Sequence, residues 1–177
     1  MRWLAPILSV TAEEIWQHMP GERGESVLLE TYYTFPESVD MGEMDMAFWQ
    51  RVVAVREAVS KDLEAVRVAG DIGSSLEAEL DLYCDADLKK LLERLGDELR
   101  FVLITSSARV YSANEAPAQA LDTAVSGLRL LVTPSQHGKC VRCWHRRDDV
   151  GRSTEHPELC GRCVENVDGK GEQRLYA

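Results

Sequence analysis

Four cysteines near the end of the chain have the types and spacing of a metal site. They form two C-x2-C pairs separated by sixteen residues, Cys140 with Cys143 and Cys160 with Cys163. Two residues between cysteines allow a tight turn that directs both sulfurs to one point, so two such turns can supply the four corners of a tetrahedron. The spacing therefore predicts that these four thiolates bind one Zn²⁺ ion.

Other interpretations of the cysteines are two disulfides or four unrelated buried thiols. A cytosolic chain does not keep disulfides, and the fifth cysteine, Cys84, would be left without a partner. His145 and His156 lie in the same region and could each replace a cysteine as a ligand. Because four thiolates fill the coordination shell of zinc, we expect a structural ion and not a catalytic one.

An aromatic residue and several basic residues lie beside the predicted metal site. Trp144 directly follows the second cysteine. An exposed indole among guanidinium groups suits single-stranded RNA, because the ring stacks on bases and the charges bind phosphates. The alternative is that Trp144 covers the zinc site. The candidate RNA-binding residues are Trp144, Arg142, His145, Arg146, Arg162 and Lys170.

The charge distribution is consistent with a local RNA contact. The chain of 177 residues has a formal net charge of −10, which argues against nucleic-acid binding through its overall field. Residues 136–177 differ, with eight lysines and arginines against seven acidic residues. We therefore expect any RNA contact to be centred on the metal region.

The sequence contains no motif of a catalytic centre. A Gly-rich phosphate loop and a G-x-S-x-G elbow are both missing, so we predict no catalytic residue. No stretch approaches the roughly 18 apolar residues that a membrane span requires. The apolar run at the N-terminus is interrupted by Pro6 and has no small-residue cleavage site. We expect a cytoplasmic protein.

The metal site must be positioned by the rest of the chain, whose sequence patterns predict an α+β protein in three parts. Residues 1–40 indicate two short helices, the second capped by Thr11, and a connector. Two helices this short cannot bury both of their apolar faces alone, which suggests that they are the end of a larger helical domain.

Residues 41–135 predict a small α+β domain whose sheet is mainly antiparallel. A long amphipathic helix covers about 43–68, and strict alternation over 77–84 indicates a strand with one buried face. Asp85 is placed to cap a second helix, and two further strands lie near 108–112 and 128–133. Residues 136–177 then form a zinc-ribbon-like module.

Several stretches resemble the C-terminal end of bacterial isoleucyl-tRNA synthetases, which are class I ligases, and the similarity covers essentially the whole chain. The Cys-Val-Arg-Cys-Trp-His and Cys-Gly-Arg-Cys segments of the zinc region are the most specific. The stretches are 4–16, 72–78, 96–102, 140–145, 149–151, 156–164 and 171–177.

This resemblance implies an enzyme that attaches isoleucine to its tRNA with ATP. The HIGH and KMSKS motifs of the catalytic domain do not occur in this sequence, so ATP would bind elsewhere in the enzyme. Residues 1 to about 37 would close the helical anticodon-binding domain. The four cysteines would match the ligands of a structural zinc ion, and Trp144 would match the family position after the second cysteine.

The implied partners are isoleucine tRNA, contacted at its anticodon end, and the remaining domains of the same enzyme, without DNA or a membrane. Two other classes carry similar zinc modules. One is the DNA glycosylases of the formamidopyrimidine type, which begin with a catalytic Pro-Glu where this chain has Met-Arg-Trp. The other is a stand-alone zinc-ribbon adaptor that binds protein.

Metal must replace an apolar core in residues 136–177, because this part contains few large apolar side chains. Structural zinc contributes on the order of 10–16 kcal/mol in small finger peptides. We predict that a chelator unfolds residues 136–177 while the α+β domain survives, as followed by circular dichroism during a chelator titration. Simultaneous loss of both would contradict the organisation into two modules.

Overall fold

The computed structural model describes residues 1–34, 42 and 44–176. The chain divides into two compact units, Met1–Met41 and Gly42–Ala177. The end of the predicted connector and the predicted start of the long helix at residue 43 lie outside the described residues. The boundary placed between residues 135 and 136 stays a prediction.

The first unit contains one helix, α1 (Ser9–His18), and a 3-10 turn at Val27–Leu29. Its small core is built around Trp16, whose indole N–H donates to the carbonyl of Gly24 at 2.9 Å. The predicted cap at Thr11 is wrong, because the helix begins at Ser9 and Thr11 lies inside it. The predicted first helix is a series of turns over residues 2–7, and the predicted connector contains the 3-10 turn.

Many apolar side chains of the first unit are exposed, as expected for a piece that cannot bury its own apolar faces. They are Trp3, Leu4, Ile7, Leu8, Val10, Ile15, Met19, Leu28 and Leu29. Only four residues of this unit form a buried apolar cluster among the described residues: Ala5, Ala12, Trp16 and Val27. The unit therefore has too small a core for its apolar content.

The second unit begins with the long helix α2 (Met46–Ala69). Asp45 caps its start by accepting a hydrogen bond from the amide of Phe48 at 2.9 Å. Gly70 ends it in the left-handed conformation at a φ of 87°, which a residue without Cβ adopts at little cost. The apolar stripe predicted from the spacing is confirmed; its buried members are Phe48, Val52, Val55, Val59 and Leu63.

Four strands form the main sheet: β1 (Ala78–Cys84), β2 (Ser107–Ser112), β3 (Leu121–Asp122) and β4 (Leu128–Pro134). Their order is β2-β1-β4-β3. β1 pairs with β2 in parallel, whereas β1 with β4 and β3 with β4 are antiparallel, which confirms the mainly antiparallel sheet.

The predicted one-sided burial of β1 is wrong, because Glu79 and Tyr83 are buried as well. Glu79 accepts hydrogen bonds from Arg109 and Ser135, both at 2.7 Å. Tyr83 stacks on Tyr111 with 5.3 Å between ring centres. Residues distant in sequence thus cover the face that alternation had placed in solvent.

Two short helices, α3 (Ala86–Glu93) and α4 (Leu99–Leu103), complete the core with α2 and the sheet. The predicted cap at Asp85 is confirmed, since its carboxylate accepts the amide of Leu88 at 2.8 Å. The metal region adds the hairpin β5 (Gly138–Lys139) with β6 (Arg146–Arg147) and the helix α5 (Gly161–Asp168). Within the described part of the chain, no helix is long and apolar enough to cross a membrane.

Leu80 lies at the centre of this core and has no exposed surface. We predict that Leu80→Ala lowers the free energy of unfolding of the second unit by about 2–5 kcal/mol, because the lost methyl groups leave a cavity between the sheet and the helices. Urea denaturation of the zinc-loaded chain measures the change. Leu121→Ala, which truncates an exposed leucine of β3, is the control and should change stability by less than about 1 kcal/mol.

Candidate metal centre

Two similar turns hold the four cysteines. Cys140 follows β5 and begins the first turn, which the amide of Trp144 closes by donating to the carbonyl of Cys140 at 2.9 Å. Cys160 caps α5, and the amide of Val164 donates to its carbonyl at 3.0 Å. Each C-x2-C pair is therefore closed by the residue that follows its second cysteine.

The four sulfurs converge at one point, where all lie within 4.8 Å of one another. Cys143 Sγ and Cys160 Sγ are 3.7 Å apart. A tetrahedron with zinc–sulfur bonds of about 2.3 Å has edges of about 3.8 Å, whereas a disulfide requires about 2.05 Å. All five cysteines are free, and Cys84 lies in the core of the sheet. The donor set and its spacing fit one structural zinc ion.

Charge at this site depends on the metal. Burial, together with the neighbouring Cys143 sulfur, raises the pKa of Cys160 to about 12. Burial acts in the same direction on Cys143, but hydrogen bonds involving His145 and Arg162 outweigh it and lower the pKa of Cys143 to about 5. A bound divalent cation is therefore needed to keep all four sulfurs as thiolates near neutral pH.

Trp144 has an unusual backbone and an exposed side chain. Its φ is 66°, in the left-handed region that side chains with a Cβ rarely adopt. Such a conformation costs on the order of 1–3 kcal/mol and persists only where the surroundings impose it. The indole is 61% exposed, so the ring is available to a ligand.

The other candidate RNA-binding residues fall into two groups. Arg142 and Lys170 are exposed, like Trp144. His145 is buried, with its ring 5.7 Å from that of Phe101, and the half-buried Arg146 pairs with Glu77 at 3.2 Å. Arg162 is also half-buried and pairs with Glu172 at 2.9 Å.

The histidine alternatives to the cysteine ligands are not supported by these contacts. Nδ1 of His145 lies 3.2 Å from the carbonyl oxygen of Cys143. The ring of His156 is paired with Asp168 near the end of α5. Among the described residues, the cluster of possible ligand atoms at this site consists of four sulfurs.

Contacts that the sequence did not reveal attach the metal region to the α+β core. The amide of Arg146 donates to Ser106 Oγ at 2.6 Å. The carboxylate of Glu98 accepts the amides of Leu175 and Tyr176, both at 2.6 Å. These partners are separated by 40, 77 and 78 residues, so no local pattern could indicate them.

The phenyl ring of Phe101 lies between guanidinium groups. Arg100 and Arg174 are each 4.0 Å from the ring centre, and Arg162 is 5.1 Å away. Each contact of this kind stabilises by about 0.5–2 kcal/mol. Since Arg100 belongs to α4 and the other two arginines to the metal region, the ring joins the two parts.

Two family models match the chain. One is described as the anticodon-binding domain of tRNA ligase and covers residues 1–82. The other, described as a zinc finger found in FPG and IleRS, covers residues 138–166 and includes all four cysteines. The chain therefore combines similarity to the anticodon-binding domains of tRNA ligases with similarity to a zinc finger, whose four cysteines converge in the structure.

The relatives that match this chain are named after one particular ligase. The isoleucine–tRNA ligases of Nitrosococcus oceani, Azotobacter vinelandii and Pseudomonas putida are 58%, 57% and 55% identical over 178 residues, which is 100% of this chain in each case. The chain spans about a fifth (19%) of the length of these relatives. The resemblance is thus confirmed: over its whole length, the chain is homologous to the C-terminal region of isoleucine–tRNA ligases.

The zinc site predicts a selective effect of cysteine substitution. Cys160→Ser should lower the zinc content from one ion per chain to a small fraction, because a hydroxyl replaces a thiolate in a site that requires four. Cys84→Ala is the matched control and should keep one zinc ion, since Cys84 lies in the sheet. Colorimetric zinc determination on the denatured proteins measures both; equal zinc content in the two variants would contradict the assignment.

Proposed function

We propose that this chain is the C-terminal tRNA-recognition and zinc-binding part of an isoleucyl-tRNA synthetase, an enzyme that attaches isoleucine to its tRNA with ATP. The similarity to isoleucine–tRNA ligases over the full chain carries this proposal. ATP would bind in the catalytic domain of such an enzyme. The present chain would contribute RNA contacts and no catalytic residue, and the enzyme would act in the cytoplasm, where tRNA is charged.

The alternative functions are less consistent with the comparisons. The zinc-finger description also includes FPG proteins, so residues 138–166 alone do not separate a ligase from a DNA glycosylase. The match of residues 1–82 to an anticodon-binding domain favours the ligase over both the glycosylase and a stand-alone adaptor.

Zinc would have a structural role in this function. Four thiolates leave no open coordination position for a substrate. We propose Cys140, Cys143, Cys160 and Cys163 as the ligands, because their sulfurs converge and because the turns that carry them are closed by backbone hydrogen bonds. The ion would fix the backbone on both sides of Trp144.

We place the RNA-contacting surface at Trp144, Arg142 and Lys170. The support is their exposure: an indole offers a stacking face, and the two exposed cations can approach phosphates. For His145, Arg146 and Arg162, a direct contact with RNA stays a prediction, because each already packs or pairs inside the protein. The partners would be isoleucine tRNA, at its anticodon end, and the other domains of the enzyme.

Trp144→Ala tests this function most directly. We predict that the variant keeps its zinc ion but binds isoleucine tRNA more weakly by about 1–3 kcal/mol, which is the value of one base–aromatic stack. The measurement is a tRNA titration and an aminoacylation assay on the full-length synthetase, at a stated salt concentration because phosphate contacts are strongly salt-dependent.

Val167→Ala is the control for this experiment. It removes an exposed apolar side chain from α5 of the same zinc region and should leave tRNA affinity unchanged. If the Trp144→Ala enzyme aminoacylates tRNA at the wild-type rate, with the wild-type dependence on tRNA concentration, a role for the indole in recognition is refuted. Zinc loss in Trp144→Ala would instead show that the residue is part of the metal site.

A further inference from the structure

Both cysteine turns carry an arginine at the same position. The first turn reads Cys140-Val-Arg142-Cys143 and the second Cys160-Gly-Arg162-Cys163, so an arginine directly precedes the second cysteine in each. No requirement of the turn itself explains this choice, because a C-x2-C turn forms with many residues at that position. The repeated arginine therefore needs a separate explanation.

Each of these arginines reaches across to a sulfur of the other turn. Arg142 Nη1 lies 3.6 Å from Cys163 Sγ. Arg162 directly precedes Cys163 in the second turn and interacts electrostatically with the sulfur of Cys143. Arg142 thus links the first turn to the second, and Arg162 links the second to the first. The two contacts form a reciprocal pair around the metal site.

The charge of the site accounts for this arrangement. Four thiolates around one divalent zinc ion leave a net charge of −2, and three of the four cysteines are buried. An uncompensated charge in such a place is costly, and it is offset by nearby opposite charges that also donate hydrogen bonds. Two guanidinium groups supply a charge of +2.

We propose that Arg142 and Arg162 are the counter-charges of the four-thiolate centre and that they slow the loss of its zinc ion. This role concerns the metal centre and does not depend on the proposed contact with tRNA. Arg142 and Arg162 would not bind the metal themselves; they would act on it through the cysteine sulfurs, as positioning residues. Partners of metal ligands typically change metal affinity by about 10–100-fold when they are removed.

The two arginines should differ in how strongly they slow zinc release. The side chain of Arg162 is 18% exposed, and it is held by Glu172 and by the ring of Phe101. Arg142 is exposed, so solvent and salt screen its charge more strongly. We therefore expect the larger effect on zinc retention from Arg162, and a greater dependence on ionic strength from Arg142.

Zinc release into excess 4-(2-pyridylazo)resorcinol, followed by absorbance on the zinc-loaded full chain, tests the proposal. Arg162→Gln should release zinc about 10-fold faster or more, whereas Arg162→Lys, which keeps the charge, should stay within about threefold of the wild type. Arg142→Gln should show a smaller acceleration that fades at high salt. Arg152→Gln removes an exposed arginine of the same region that pairs with Asp148 and should have no effect.

The comparison of glutamine and lysine at residue 162 separates charge from packing. Equal release rates for Arg162→Gln and Arg162→Lys would overturn the proposal even if both are fast, because the lost contact would then be steric. Wild-type rates in Arg142→Gln and Arg162→Gln would overturn it as well. Weaker tRNA binding without faster zinc release would assign the two arginines to RNA alone, whereas faster release with normal tRNA binding would support the counter-charge role and count against their proposed RNA contact.

Discussion

Convergence of four cysteine sulfurs is the interaction on which the rest of the metal region depends. Residues 138–176 contain the short hairpin of β5 and β6 and one helix of eight residues, and their buried apolar cluster consists of cysteines with Val150 and Leu159 packed against them. Such a cluster cannot stabilise the chain by apolar burial alone. Bonds from sulfur to a metal ion supply the missing stabilisation and fix the two turns relative to one another.

The metal region is also held against the α+β core, and two left-handed residues lie close in sequence to a hydrogen bond that joins these two parts. Ile104 and Trp144 are the non-glycine residues with positive φ in the described part of the chain. Ile104 lies two residues before Ser106, and Trp144 lies two residues before Arg146. The amide of Arg146 donates a hydrogen bond to Ser106 Oγ. Ile104 ends α4 in this conformation, and beside Trp144 the buried His145 packs on Phe101 while the indole itself is exposed.

Under the proposed function, this arrangement would allow a structural ion to serve recognition. An exposed tryptophan on a mobile loop would lose conformational freedom when it stacked on a base, which weakens binding. The amide of Trp144 is bonded to the carbonyl of Cys140, and the next two residues are anchored to the core. The backbone that carries the indole is therefore already fixed before a ligand binds, by the metal site on one side and the α+β core on the other.

The sequence predicted features that depend on local spacing. The zinc site follows from two C-x2-C turns, and the stripe of α2 follows from helical periodicity, so both were recognisable without a structure. The same applies to the cap at Asp85, whose carboxylate bonds to an amide three residues away.

Features that depend on distant residues were not predicted. Thr11 has the pattern of a cap, but α1 begins two residues earlier, at Ser9, and its Glu13 accepts hydrogen bonds from Ser26 and Val27, thirteen and fourteen residues away. Glu79 was placed in solvent because its partners Arg109 and Ser135 are 30 and 56 residues distant. His145 is an RNA-binding candidate from its position beside Trp144, whereas the ring of Phe101 that packs against it belongs to α4, far away in sequence.

The central claim is that the metal is bound by four sulfurs alone and therefore acts as a scaffold. X-ray absorption spectroscopy at the zinc edge tests it on the zinc-loaded chain. We predict a single shell of four sulfur atoms at about 2.3 Å. A mixed shell with a nitrogen or oxygen atom at about 2.0–2.1 Å would contradict the claim, because it would show a histidine or a water molecule in place of a cysteine.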